Sequence, residues 1–248
     1  MHRLTTLSAL ARVGAALAED SDTASVLTLV VQGCARVFEA EAVGIVAAHD
    51  LMAPDPHALE LLAASSHTAG ALELYQIQAG HGPCVDAIVD GTEVDVVGRG
   101  GLLERWPEMA DATSASEMGA VHALPLRWDG TTFGALNVFL RDERSLGDRR
   151  TELRAFADLA TVAIVHGASR PSLDDVGRAI AATLAGGALL EQAKGVLRVL
   201  RGVDGGAAFE LLVDEAARRG APVTAVAEEL VDAASRGERP SWALAEPR

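Results

Sequence analysis

Asp129-Gly130 sits between two apolar runs in the stretch MGAVHALPLRWDGTTFGALNVFLRD, and that pair constrains the fold more than any other short feature of the chain. An Asp-Gly step tolerates the positive φ angles of a tight two-residue turn, so the flanking runs are expected to pair as an antiparallel hairpin. Two more β-rich runs, AVGIVAAH (42–49) and ALELLAAS (58–65), read as a second strand pair joined by a long loop through Pro54 and Pro56. The composition of the later run would equally suit a helix. A short strand is expected at 93–97, after a break at Asp90-Gly91. Helices are expected at 5–18, at 24–38 behind an Asp22 or Ser21 cap, from Pro83 to Val89, and at 148–165. In the last of these, Leu153, Phe156, Ala157, Ala160 and Ile164 recur at helical spacing.

The texture changes after HGASRPS (166–172), which reads as a linker, since no strand pattern follows it. Ser172 and Asp175 form a capping signal, so a helix is expected from Leu173 to about Arg201, with Gly186-Gly187 as the place where it could be interrupted. A second helix, 206–219, lies between Asp204 as N-cap and Gly220 as stop. A third begins near Pro222 and lines up Val223, Val226, Ala227, Leu230 and Val231 on one face. The expected organisation is α+β over residues 1–166, a linker at 167–172, an all-α three-helix unit at 173–236 and a flexible tail at 237–248, where Trp242 could dock.

Composition narrows the function. Hydrophobic residues make up 49% of the 248, yet only 4% are aromatic, so the core must be built from Ala, Leu and Val. A formal net charge of −14 disfavours coating nucleic acid or membrane through the overall field. The acidity is concentrated before the linker, so a polyanion would be met by the C-terminal part. Cys34 and Cys84 have neither CxxC nor zinc-site spacing, and no metal is indicated. With no apolar stretch of the ~18 residues a membrane helix needs, a cytoplasmic protein is expected.

Lys194 is the only lysine; every other cationic side chain among the 21 Lys and Arg is arginine. It lies in EQAKGVLRVL (191–200), on a helix where Leu190, Ala193, Leu197 and Leu200 form an apolar seam. Lys194, Arg198 and Arg201 fall on a stripe about 90° from that seam at ~100° per residue. Gly195 costs roughly 1 kcal/mol relative to Ala inside a helix, so it is expected where another helix or a ligand comes close.

LLEQAKGVL, VDGGAAFELLVDEA and VTAVAEELVDA together resemble the ANTAR module, a three-helix RNA-binding domain of bacterial transcription antiterminators. Gln192-Ala193-Lys194-Gly195 is its most specific mark, and the resemblance spans about 172–235. It implies binding to a pair of short RNA hairpins, with Lys194, Arg198 and Arg201 as contacts and Arg218 and Arg219 as further candidates. Ala193 and Gly195 are the close-packing residues of the motif. Two departures remove polar contacts usual in the family: Gly187 before the apolar pair, and GAPVT between helices two and three.

GHGPCVDAIVDGTEVDV, RWPEMA and GAVHALPLRWDGTTFGALNVF resemble the GAF domain placed before ANTAR modules, over about 5–166. This implies an antiparallel sheet flanked by helices, a small-molecule pocket and often a homodimer. Cys84, Trp106 and His122 are the candidate pocket residues; the sequence names no cofactor. Some GAF domains reduce free methionine sulfoxide, but that chemistry needs a resolving thiol, and no cysteine follows Cys84. The expectation is a non-enzymatic regulator in which a sensor controls an RNA-binding output. The alternative is a protein-interaction regulator whose ANTAR unit no longer holds RNA.

Overall fold

Five strands, β1 (Ala42–Ala48), β2 (Leu59–Ala64), β3 (Val94–Val97), β4 (Ala120–Trp128) and β5 (Thr131–Leu140), form one antiparallel sheet in the order β2-β1-β5-β4-β3. The computed structural model describes residues 2–19, 21–48, 58–109, 118–165 and 173–244. Asp129 and Gly130 both take positive φ, 48° and 79°, and close the β4–β5 hairpin as their identities require. Strand alternation then sorts the side chains. Val43, Ile45, Leu124, Leu136 and Val138 face one side; Val46, Val121, Ala123, Ala135 and Phe139 face the other.

The first side is covered by α2 (Thr23–Phe38) and, after α3 (His67–Ala79), α4 (Pro83–Val89) and α5 (Arg99–Arg105), by α6 (Arg150–Val165), with α1 (His2–Ala18) packed on α2 and α6. Helices α3, α4 and α5 cover the second side. α2 is apolar nearly all round and is buried accordingly, with the sheet on one flank and helices on the others. Its start is fixed by Asp22, whose carboxylate accepts from the Ser25 amide at 2.9 Å. At its end, Arg149 donates to the Val37 carbonyl at 2.8 Å and lies over the Phe38 ring. α3 and α5 are not foreshadowed in the sequence. α3 mixes polar and apolar residues without a helical stripe because its buried face holds Glu73 and Gln76 beside Ala69 and Leu72.

The C-terminal unit consists of α7 (Leu173–Arg201), α8 (Gly205–Arg219), α9 (Val223–Ser235) and the short α10 (Ser241–Leu244). Asp204 caps α8 through the Ala207 amide at 2.8 Å, and Gly220 ends it at φ 62°. Pro222 stands at the N-cap of α9 rather than inside its first turn. The buried stripe of α9 is Val223, Val226, Ala227, Leu230 and Ala233, and Val231 is only partly covered. α7 runs unbroken through Gly186-Gly187, about 43 Å at 1.5 Å per residue. The tail, expected to be flexible from 237, instead carries α10: its Ala243 is buried, and the helix packs on α7. The linker at 166–172, with the Ser172 cap, and the loop prolines Pro54 and Pro56 lie outside the described residues. Among the described residues, no helix is long and apolar enough to cross a membrane.

One apolar cluster joins the first side of the sheet to the C-terminal unit, linking Val26, Leu27 and Phe156 with Leu190, Leu197 and Phe209. Phe156 is fully buried and meets Phe38 edge-on, ring centroids 6.3 Å apart. Phe156→Ala is expected to lower unfolding free energy by about 3–5 kcal/mol, measured by urea denaturation.

Candidate functional site

Along this part of α7, Leu190, Ala193 and Leu197 are buried against α8 and α9, as the apolar seam requires. The cationic stripe beside it is divided. Lys194 is not an open cation: its side chain is 9% exposed, and Nζ pairs with Glu191 at 2.5 Å. The return of the chain into α8 brings Gly205 beside the lysine stem, whose Cε would make an ordinary 3.6 Å contact with a Cβ there. Arg198 remains exposed and donates to His67 Nε2, at the start of α3, at 2.9 Å. Arg201 is half-buried, and its Nη2 is a buried donor without an acceptor among the described residues.

Arg218 and Arg219 are committed elsewhere. Both bond Glu215, and Arg219 also bonds Glu229 at 2.6 Å and lies over Trp242 at 5.7 Å. Burial pushes the Glu215 carboxyl up, but the hydrogen bonds of the two arginines outweigh it and hold it below its ordinary range. These cations tie α8, α9 and α10 together.

The glycines are redistributed as well. Ala193 is close-packed, but Gly195 is exposed, and a Cβ there would meet nothing within 4 Å. Among the described residues no helix approaches Gly195; with Gln192 and Val199, which is 85% exposed, it forms an open face of α7. The close approach occurs at Gly186, where a Cβ would stand 2.9 Å from that of Ala24 on α2. At Gly187 it would stand 3.3 Å from the Leu62 carbonyl oxygen on β2. The glycine that departs from the family pattern is therefore where the two units touch.

On the second side of the sheet, Cys84 and Trp106 share one apolar cluster. Trp106, with Pro83, Leu102, Met109, Met118 and Phe139, lines a small pocket that these side chains nearly fill. Its indole N–H donates to Asp86 at 3.3 Å, and Arg105 lies over the ring. Cys84 is fully buried, and burial pushes its thiol well up, with the neighbouring Glu73 adding to the effect. A reactive thiolate is the opposite case. Cys34 is buried and its thiol raised in the same way.

His122 does not join them. Alternation along β4 turns it to the first side of the sheet, with Leu124, where Nδ1 lies 2.9 Å from Asp95 of β3. Burial is the largest influence on its imidazole and lowers the pKa below the ordinary value, against the pull of Asp95. Asp95 in turn pairs with Arg150.

Sequence reading missed the polar cluster beside Cys84. The Glu73 carboxylate accepts from Asn137 Nδ2 at 2.8 and 2.9 Å and from Gln76 Nε2 at 2.9 Å; Gln76 Oε1 accepts the Cys84 amide at 3.1 Å. All three polar side chains are fully buried. Gly44 pairs directly with Asn137 across β1 and β5, and a Cβ at Gly44 would sit inside van der Waals range of the Glu73 carboxylate. Gly82 has φ 138° and admits Gln76 in the same manner. The available signals were an acid and an amide three residues apart on α3 and a lone Asn in an apolar strand. Among the described residues no group of His, Cys, Asp or Glu is arranged to hold a metal.

Burial pushes the Glu73 carboxyl from 4.5 up to about 7, with the hydrogen bonds from Asn137, Cys84 and Gln76 opposing. The folded chain thus keeps a proton that the unfolded chain has released between those values. The resulting stabilisation is full below pH 4.5 and is lost as pH rises through 7. The stability of the native chain relative to Glu73→Gln should therefore fall by roughly 3 kcal/mol between pH 4.5 and 8 in urea titrations. Neither cysteine should react with a thiol reagent before unfolding.

Residues 22–164 match the GAF domain family and residues 178–231 the ANTAR domain family. Similar solved structures include the GAF domain of an Acinetobacter phosphoenolpyruvate-protein phosphotransferase (13% identity, TM-score 0.49, covering 65% of this chain and 93% of that one). A GAF domain of such a phosphotransferase from Coxiella burnetii is 18% identical, with TM-score 0.46, over 75% of this chain and 98% of that one. The NreA protein of Staphylococcus aureus, mutated in its nitrate-binding site, is 18% identical, with TM-score 0.37, over 48% of this chain and 86% of that one. No curated protein matches the chain. The helix-flanked antiparallel sheet and the helical unit after it are those two domains, and the chain belongs to the GAF family, carrying an ANTAR domain at its C-terminal side.

Proposed function

We propose that this chain is a cytoplasmic RNA-binding antitermination regulator, in which the GAF unit senses a signal and the ANTAR unit holds paired RNA hairpins. A GAF domain joined to an ANTAR domain is the layout of a signal-responsive regulator of the ANTAR type. The observation that carries the RNA reading is Gly195. A glycine inside an exposed helix costs roughly 1 kcal/mol relative to Ala, and protein packing does not require one at this position. It leaves bare backbone on the Gln192–Val199 face, beside Arg198, for close approach by an outside partner. Unstacked loop bases and phosphates suit that combination of a flat surface and a guanidinium.

On this reading the GAF unit is a sensor without catalysis. A reducing thiol would have to be accessible, and Cys84 is buried with a raised pKa. A small-molecule signal entering at Trp106 would have to open the nearly filled pocket, which makes sensing a shift between closed and open populations. A homodimer would suit a pair of hairpins, since linked sites raise effective concentration. α1 and α6, joined by the Thr6–Glu152 hydrogen bond, carry exposed Leu7 and Val162 and offer a face for a second copy.

The test is binding of a labelled two-hairpin RNA across a salt series. Gly195→Gln is expected to fold at least as stably as the native chain, because the site is open, yet to bind RNA more weakly. Arg198→Ala should reduce the slope of log affinity against log salt by about 0.7–0.9. A chain that binds no such RNA at low salt, with its fold intact, refutes the reading and leaves the C-terminal unit as a protein-docking module.

A further inference from the structure

The C-terminal unit is seated on the sensor through contacts of three kinds. The first is steric: Gly186 and Gly187 let α7 descend onto Ala24 of α2 and the Leu62 carbonyl of β2. The second is electrostatic: Glu210 of α8 accepts from Arg12 of α1 at 2.9 Å and from Arg36 of α2 at 3.5 Å. The third is polar: Asp22, the cap of α2, also accepts from the Thr224 amide of α9 at 3.4 Å, and Arg198 donates to His67. Thus every helix of the three-helix unit touches the sensor, and one of those touches is made by the exposed arginine beside the open glycine face.

We propose that this docked arrangement is a closed state in which the sensor holds Arg198, the cation at the edge of the open Gly195 face, through His67 and so withholds it from nucleic acid, and that undocking at the Gly186–Ala24 seam is the regulated step. The proposal rests on the RNA reading above. Arg198 cannot serve His67 and a phosphate with the same Nη1, so RNA and sensor compete for it. The ion pairs at Glu210 are part-exposed and individually weak, with side chains between 34% and 55% exposed, as suits a contact that must release. α3 supplies the connection to the sensing side: its first residue, His67, meets Arg198, while Glu73 and Gln76 lie in the polar cluster by Cys84. A displacement of α3 by a ligand there would withdraw His67 from Arg198.

Two full-length variants test the closed state without altering the RNA face. Arg12→Glu with Arg36→Glu turns both attractions to Glu210 into repulsions while making the chain more acidic, so any gain in RNA affinity cannot come from added positive charge. Ala24→Cys with Gly186→Cys places two thiols across the seam, where Cβ atoms 2.9 Å apart need to open by less than an ångström to reach disulfide geometry.

In the cysteine pair, ready disulfide formation is expected, and it should slow when Arg12→Glu and Arg36→Glu are added. The charge-reversed chain should bind the two-hairpin RNA about fivefold to tenfold more tightly than the native chain, and the oxidised cysteine pair more weakly than its reduced form. Adding Glu210→Arg to the reversed chain should restore the native affinity. Equal, salt-dependent RNA binding by all of these forms overturns the closed state and leaves the RNA reading standing. If no form binds RNA, including the reversed chain with slowed crosslinking, both fall.

Discussion

Between Gly186 and Ala24 there is too little space for even one more methyl group, and the relation of the two domains depends on that narrowness. A helix carrying ordinary side chains at 186 and 187 would stand farther from α2 and β2, and the apolar cluster that runs from the sheet into α8 and α9 would be split by water. Two mid-helix glycines each cost roughly 1 kcal/mol of helix propensity relative to Ala. Here the packing they permit offsets it, and α7 stays continuous through them. Helix propensity alone would have predicted a break.

The fold was largely legible because its main signals are local. The Asp129-Gly130 turn, the Asp22 and Asp204 caps and the helical spacing of Leu153, Phe156, Ala160 and Ile164 act over a few residues and were read from the string. The functional surface was less legible because its determinants are tertiary. Nothing in EQAKGVLRVL says that α8 folds back over Lys194, or that Gly195 is left bare while Gly186 is covered. His122 shows the same limit. Alternation restricted it to one of two faces, and only the neighbours of β4 decide that it meets Asp95 rather than the pocket.

The buried cluster of Glu73, Gln76 and Asn137 sets the sensor apart from an inert core. A carboxylate with no exposure, held by amide donors rather than by a cation, is a polar investment in the interior that apolar residues of equal size would avoid. The conformational demands spread outward from it: Gly44 must lack a side chain, and Gly82 must lack one at positive φ. Such a cluster fixes α3, α4, β1 and β5 to one register. Replacing any member leaves another unsatisfied.

α7 is one rigid rod that includes both the seam at Gly186-Gly187 and the bare face around Gly195. The seam lies near its midpoint, so the helix has the proportions of a lever with arms of about 20 Å on either side. A tilt of roughly 10° about that fulcrum carries the far end about 3–4 Å, comparable to a hydrogen-bond length, with no residue of the helix changing conformation. If the docked state is released as proposed, small rearrangements on the sensor would become displacements large enough to make or break individual polar contacts at Arg198 and beyond.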